Sequence, residues 1–351
     1  MTKSSITQEQ ILEALSHVQE PELHKDLVSL NMIKDIEIKG NVVSFKINLT
    51  TPACPLRSRI ENEARAAVMA VPGVKEAQIA FTSNVPSDAR IKTKLELPIK
   101  TAIAVGSGKG GVGKSTVAVN LAVALAKKGA RVGLLDADIY GPNIPTMMGV
   151  DHLPAPKEKK MIPAEAYGVK MMSIGFLVRK GQPMIWRGPM LHSAIGQFLR
   201  DVEWGELDYL IVDLPPGTGD AQISLAQTIP LSGGVIVTLP QNVSVEDAAR
   251  AVEMYRALQV PVLGVIENMS FLELPDGKIM EVFGSGGGEL LAREAEVPFL
   301  GKIPMLPAVR EGGDRGEPIV SVLPDSSAAK ALTAISERVA AQVSVTTIQA
   351  G

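Results

Sequence analysis

The sequence predicts an α/β protein: a mostly parallel sheet carrying a phosphate-binding loop, preceded by a small α/β (α+β) domain. Three observations predict it. From Ile99 onward, short apolar runs alternate with helical patterns, which is the signal of strand–helix–strand units. Between the first run and the first helical pattern lies Gly108-Lys109-Gly110-Gly111-Val112-Gly113-Lys114-Ser115-Thr116. Asp136, Asp213 and Asn268 end or directly follow later runs, and ligands on such sheets bind at the carboxyl ends of strands.

The chain has 351 residues, enough for two or three domains at about 100–200 residues each. Hydrophobic residues make up 46 % and charged residues 21 %, as in a water-soluble globular protein. A formal net charge of −3 supplies no basic field for nucleic acid, so no nucleic-acid partner is expected. No apolar run approaches the roughly 20 residues of a membrane span, so no membrane partner is expected either. Met1 to Gln10 is polar, unlike a signal peptide. The single cysteine, Cys54, excludes an intrachain disulfide, and a cytoplasmic location is expected.

Residues 1–83 read as the small domain. Thr7 with Gln10 forms a capping box opening a helix to about Ser16. Ile36 and Ile38 alternate with charged residues, and Val43, Phe45, Ile47 and Leu49 alternate again. Gly40-Asn41 between them predicts a hairpin with a tight turn. A second helix is expected from Pro55 to Ala70, stopped by Pro72-Gly73, and then a strand over Val74–Phe81. Pro55 suits the first helical position, which makes Cys54 the expected N-cap. There the helix dipole and the nearby Arg57 and Arg59 would favour a reactive thiolate. The alternative is a small buried hydrophobe.

Residues 84–98 are polar and aperiodic and read as a linker. In 99–351 the expected strands are 101–106, 131–136, 209–213, 235–238, 262–267 and 299–303. Helices are expected near 115–128, 190–202, 220–229, 244–258 and 286–296.

The glycine-rich loop has a definite chemistry. Its glycines let backbone N–H groups approach an anion, and the following helix N-terminus adds unpaired donors. Lys114 can reach terminal phosphates, and the Ser115 hydroxyl can ligate Mg²⁺. Asp213, at the end of Leu210-Ile211-Val212, can hold Mg²⁺ through water. For Asp136, helix capping after a strand is the plainer alternative.

Lys109, just after the first glycine, gives the deviant form of this loop. With it the chain resembles the P-loop ATPases that include MinD, ParA, the arsenite-pump ATPase and the nitrogenase iron protein. The resemblance implies ATP and Mg²⁺ as cofactors, and a homodimer in which Lys109 reaches the nucleotide of the facing subunit. It also implies that Asp138 positions the attacking water, with Asp136 supporting the metal shell. The loop Leu214-Pro215-Pro216-Gly217-Thr218-Gly219-Asp220 would then sense the γ-phosphate.

Trp186-Arg187-Gly188-Pro189-Met190, Trp204-Gly205-Glu206-Leu207-Asp208-Tyr209 and Ile266-Glu267-Asn268-Met269-Ser270 narrow the resemblance. They look like the Mrp/ApbC branch, the bacterial iron–sulfur carrier ATPases. In that branch the asparagine contacts adenine, which implies Asn268, and Ile303-Pro304 with Val309-Arg310-Glu311 matches its nucleotide-side loop. Thr51 to Leu56, with Glu20-Pro21-Glu22, resembles the small domain of iron–sulfur assembly factors. The expected partners are a second copy and iron–sulfur apo-protein clients or assembly factors.

One departure stands out. In the branch, Asn-Met-Ser is followed by a Cys-x-x-Cys whose copies from two subunits hold a bridging cluster. Here Phe271-Leu272-Glu273-Leu274-Pro275-Asp276-Gly277 contains no cysteine and reads as a turn between strands. One cysteine per chain supplies too few thiolates for a stably held cluster, and the four histidines show no ligand spacing. Cys54 is left as a transient iron–sulfur ligand. The expected function is an ATP-hydrolysing dimeric iron–sulfur carrier or assembly factor. Its alternatives are a nucleotide-switched scaffold of the same fold without stable cluster binding, and a MinD/ParA-like positioning ATPase. The alanine-rich stretch Ser326–Val343 makes a poor membrane anchor and a good packing helix.

Overall fold

The structure is a computed structural model, and it describes residues 6–91, 97–157, 160–177, 188–274 and 276–350. Contacts divide the chain into two units, Met1–Pro86 and Ser87–Gly351.

In the first unit, α1 (Gln8–Leu15) opens with the expected capping box. The Gln10 N–H donates to Thr7 Oγ1 at 3.3 Å, and the Thr7 N–H donates to Gln10 Oε1 at 3.1 Å. Two short strands, β1 (Gln19–Glu20) and β2 (Lys25–Asp26), pair antiparallel. Three longer strands follow: β3 (Ile33–Lys39), β4 (Val42–Leu49) and, after α2 (Arg57–Met69), β5 (Glu76–Ser83). β3 and β4 form the hairpin around Gly40, whose φ of +64° suits the turn, and β5 joins β4 in parallel. Val43, Phe45, Ile47 and Leu49 all point inward. They bury against Ile11 and Leu15 of α1 and Ile60, Ala64 and Val68 of α2, as period-two and helical spacing require.

Cys54 is not the N-cap. α2 starts at Arg57, its N-cap is Leu56, and Pro55 lies before the helix. The Ala53 N–H turns back to Thr51 Oγ1 at 3.1 Å, so the chain spends residues 51–56 in turns and reaches the helix late. The arginines also have other partners: Arg57 lies 4.5 Å above the Phe81 ring, and Arg59 pairs with Glu63 at 2.8 Å. Cys54 is half-buried against the core of this unit.

The second unit contains an eight-stranded sheet. Its strands are β6 (Ile99–Gly106), β7 (Val132–Asp136), β8 (Ala164–Ala166), β9 (Val169–Ser173), β10 (Leu207–Asp213), β11 (Gly233–Thr238), β12 (Val262–Glu267) and β15 (Phe299–Lys302). The order is β15-β12-β11-β6-β10-β7-β9-β8, parallel throughout except for β8 at the edge. β13 (Leu272–Glu273) and β14 (Ile279–Met280) make a separate hairpin turning through Gly277, whose φ is +79°. The longer helices are α3 (Lys114–Lys127), α5 (Gly188–Asp201), α6 (Asp220–Thr228), α7 (Asn242–Ala257), α8 (Gly287–Glu294), α9 (Pro307–Arg315) and α11 (Ser327–Ala350). Single-turn helices α4 (Ile144–Met147) and α10 (Ile319–Val322) lie between them.

Both faces of the sheet are covered, so its central strands are buried along their whole length. The segment after Pro86 packs on this unit: the Asp88 N–H donates to the Lys100 carbonyl at 2.8 Å, and Ile91 is buried in the large core. α11 buries Leu332, Ile335 and Val339 and lies against α3, a packing helix. α10 also packs on α3: the Val320 N–H donates to Asn120 Oδ1 at 3.2 Å, and Lys127 Nζ donates to the Val320 carbonyl at 2.8 Å. Trp186 and Arg187 lie outside the described residues. Among the described residues, no helix is long and apolar enough to cross a membrane.

Candidate functional site

β6, the centre of the sheet, delivers the chain into the glycine-rich loop, and α3 leaves it at Lys114. Gly111 and Gly113 take φ of +81° and +84°, the left-handed region that favours glycine. A Cβ on Gly113 would also stand 2.2 Å from Asn268 Nδ2, so the Asn268 side chain would have to shift. No side chain caps α3, so its first N–H groups face the loop as anion donors.

Three strand ends meet this loop. Lys114 Nζ donates to Asp213 Oδ1 at 2.6 Å and lies 3.4 Å from Asp138 Oδ2. Ser115 Oγ donates to Asp213 Oδ2 at 2.6 Å. Asp138 Oδ1 in turn accepts the Tyr140 N–H at 3.1 Å, which fixes its carboxylate at the start of the next loop. Asp136 sits behind, fully buried; its Oδ2 accepts from Ser173 Oγ at 2.7 Å, and its Oδ1 accepts the Asp138 N–H at 3.2 Å. Burial, and then the neighbouring Asp213 charge, push the Asp136 carboxyl well above the usual carboxylate range. Burial pushes Asp213 up too, against the pull of Lys114 and Ser115. A divalent cation beside Ser115 and Asp213 would relieve this crowding of negative charge, and the oxygen-only donor set fits Mg²⁺.

A cavity of about 1020 Å³ opens over the loop. Lys109, Gly110, Gly111, Gly113, Lys114, Ser115, Thr116, Asp138, Asn268 and Pro304 all line it. Gly108 and Val112 do not. A Cβ on Gly108 would stand 2.1 Å from the Asp247 carbonyl carbon, and the Val112 carbonyl accepts from Asn268 Nδ2 at 2.8 Å. Asp136 and Asp213 back the cavity without lining it. The lining also includes the apolar Met147, Met269, Leu272, Met305 and Leu332, together with Arg310. A lining that combines phosphate donors with apolar side chains suits a nucleotide. Cys54 belongs to the other unit.

Sequence reasoning missed Ser173, the hydroxyl that holds Asp136. It ends β9, and no strand was expected in 160–173; the turn at Tyr167-Gly168 and the apolar Val169, Met171 and Met172 were the available signal. In the first unit, Glu20 Oε2 accepts the N–H groups of Glu22 at 2.9 Å and Leu23 at 2.6 Å. Burial, and then Glu20, push the Glu22 carboxyl up to about 7. Among the described residues, no cluster of three or more His, Cys, Asp or Glu side chains could hold a metal ion.

Residues 98–340 match the family model described as NUBPL iron-transfer P-loop NTPase, and residues 8–80 match that of an iron–sulfur cluster assembly protein. The iron–sulfur cluster carrier protein of Deinococcus radiodurans is 54 % identical over 342 residues, covering 96 % of both chains. Among solved structures, a nucleotide-binding protein from Archaeoglobus fulgidus in complex with ADP is 40 % identical. Its TM-score is 0.56, and the match covers 66 % of this chain and 91 % of that one. The cell division ATPase MinD of Pyrococcus furiosus, at 23 % identity and a TM-score of 0.52 over 68 % of this chain and 97 % of that one, shares the fold. The loop, the sheet order and these matches agree: the chain belongs to the NUBPL iron-transfer P-loop NTPase family.

Proposed function

We propose that the chain is an ATP-hydrolysing, dimeric iron–sulfur cluster carrier or assembly factor acting in the cytoplasm. The observation that carries the ATPase part is the convergence of Lys114, Ser115, Asp138 and Asp213 at one end of a nucleotide-sized cavity. Lys114 and the loop N–H groups bind the phosphates. Ser115 and Asp213 hold Mg²⁺, which supplies charge neutralisation on the transferring phosphoryl group. Asp138 orients water, Asp136 keeps Asp138 in place through the Asp138 N–H, and Asn268 with Pro304 meets the base. Lys109, half-buried in the cavity lining, reaches the nucleotide of a second copy.

The iron–sulfur part is supported by two family matches in the same chain and by what the relatives are named for. The cluster is cargo here. The β13–β14 hairpin carries no cysteine, and Cys54 is the remaining thiolate for clients or partner assembly factors. That same hairpin favours a second reading, a nucleotide-switched scaffold that holds no cluster.

Iron and sulfide per dimer after anaerobic reconstitution, with Cys54→Ser alongside, test the proposal. Near-stoichiometric iron that disappears in the variant supports the carrier with Cys54 as ligand. No iron in either protein, with ATP hydrolysis intact, selects the scaffold.

A further inference from the structure

Val105, Gly106 and Ser107, at the end of β6, each engage the segment that follows β10. The Leu214 N–H donates to the Val105 carbonyl at 3.1 Å, and the Gly217 N–H donates to the Ser107 carbonyl at 2.9 Å. Between these two bonds, side chains close over Gly106. A Cβ there would stand 2.4 Å from Tyr255 Oη of α7 and 3.1 Å from Gln222 Nε2 of α6. Gln222 is in the first turn of α6, and its N–H donates to the Gly219 carbonyl at 3.0 Å, so it is tied to the end of the 214–219 loop.

Both side chains are buried, at 1 % exposure for Gln222 and 0 % for Tyr255. Neither Gln222 Nε2 and Oε1 nor Tyr255 Oη has a hydrogen-bond partner among the described residues. Burial pushes the Tyr255 phenol up, against a weaker pull from the adjacent Gln222 side chain, so it remains protonated; the two groups adjoin without the geometry of a full hydrogen bond. A buried polar group left unpaired costs about 1–3 kcal/mol, whereas apolar groups of the same shape can be neutral or stabilising. Packing alone therefore favours apolar side chains at this point. The polar atoms sit where the phosphate loop, the 214–219 loop and α7 meet, and neither residue lines the cavity.

We propose that Gln222 is a positioning residue for ATP hydrolysis, holding the 214–219 loop in register with the phosphate loop through its buried contact with Tyr255 at Gly106. Its amide carries both a donor and an acceptor. It can therefore take up a bond to the Tyr255 hydroxyl or to nearby backbone as the loop closes on a terminal phosphate. This rests on the reading of the chain as an ATPase.

The test uses the full chain with MgATP, comparing wild type, Gln222→Met and Tyr255→Phe in kcat, KM and Tm. Met keeps the length of Gln222 without its polar atoms. The expected result for Gln222→Met is kcat lower by about tenfold or more, KM within about threefold, and Tm unchanged or higher. Tyr255→Phe should lower kcat in the same direction without lowering Tm. A Gln222→Met kcat within about twofold of wild type overturns the proposal. So does a loss of kcat that tracks a loss of Tm in both variants, since that describes a structural pair. No hydrolysis by the wild-type chain removes the ATPase reading and this proposal together; normal wild-type hydrolysis with unchanged Gln222→Met removes this proposal alone.

Discussion

Ser115 and Asp213 meet hydroxyl to carboxylate at 2.6 Å, the first residues of α3 and the last of β10 brought to one point. Lys114 holds the other Asp213 oxygen at the same distance, 2.6 Å. The carboxylate is thus shared between the Lys114 ammonium and the Ser115 hydroxyl, the groups proposed to hold phosphate and Mg²⁺. Asp213→Asn should leave nucleotide affinity within about tenfold but lower Mg²⁺-dependent turnover by roughly a hundredfold. Lys114→Ala should weaken nucleotide binding by about ten- to a hundredfold, the worth of a charge-assisted hydrogen bond. Titration with a fluorescent ATP analogue, with and without Mg²⁺, separates the two; unchanged affinity in Lys114→Ala would contradict the site.

Asp138 is fixed by the Tyr140 N–H and lies 3.4 Å from Lys114 Nζ. Asp138→Ala should bind ATP normally and hydrolyse it about 10²–10⁴-fold more slowly, as loss of a water-orienting carboxylate does. Single-turnover rates with pre-bound ATP measure this, and normal turnover would remove its role.

Lys109 is half-buried and lines the cavity beside Gly110 and Gly111. Lys109→Ala should retain ATP binding and lose ATP-dependent dimerisation. Sedimentation velocity with and without ATP reads it, and a variant that dimerises like wild type would refute the sandwich.

Gly113 accommodates Asn268 Nδ2 where a Cβ would stand at 2.2 Å. Gly113→Ala must displace Asn268 from the Val112 carbonyl and also adopt a left-handed φ, a strain of about 1 kcal/mol or more. Nucleotide affinity should fall at least about tenfold with the far-UV spectrum unchanged. Asn268→Ala, which leaves the glycine alone, should reproduce the affinity loss if the base contact is what matters.

Asp208 bridges Arg131 at 3.0 Å and Lys100 at 3.0 Å. Burial pushes its carboxyl up, but the Arg131 hydrogen bonds and Lys100 outweigh burial and hold it down at about 2. A folded value below the unfolded one gives stability that is present above about pH 4 and lost as pH falls toward 2. Asp208→Asn should therefore cost roughly 2 kcal/mol near neutrality. The difference from wild type should shrink as urea melts move from pH 6 to pH 3; a constant difference would mean that Asp208 is not titrating.

The elements that carry chemistry were legible because each needs particular residues in order. The loop from Gly108 to Thr116 must have its glycines, its lysine and its hydroxyl. The strands ending at Asp136 and Asp213 read as apolar runs because both faces of a parallel sheet are buried. What stayed hidden depends on partners distant in sequence. β9 is short and sits beside a strand more than thirty residues earlier, so Ser173 gave no sign of its bond to Asp136. Gln222 and Tyr255 look like ordinary helix residues until Gly106 brings them together. Cys54 misled for a local reason: Pro55 suits a first helical turn, but Thr51 had already committed the chain to a turn of its own.

The hydrogen bonds from Val320 to Asn120 and from Lys127 to Val320 have a consequence in time. The helix that presents the phosphate loop is braced by residues about two hundred positions later. At a synthesis rate of about 5–20 residues per second, those bracing residues follow the loop by roughly 10–40 seconds. A nascent chain therefore exposes its nucleotide-binding sequence well before it owns the residues that brace the helix behind the loop. The packing behind that helix is therefore completed only after residue 320 has been made.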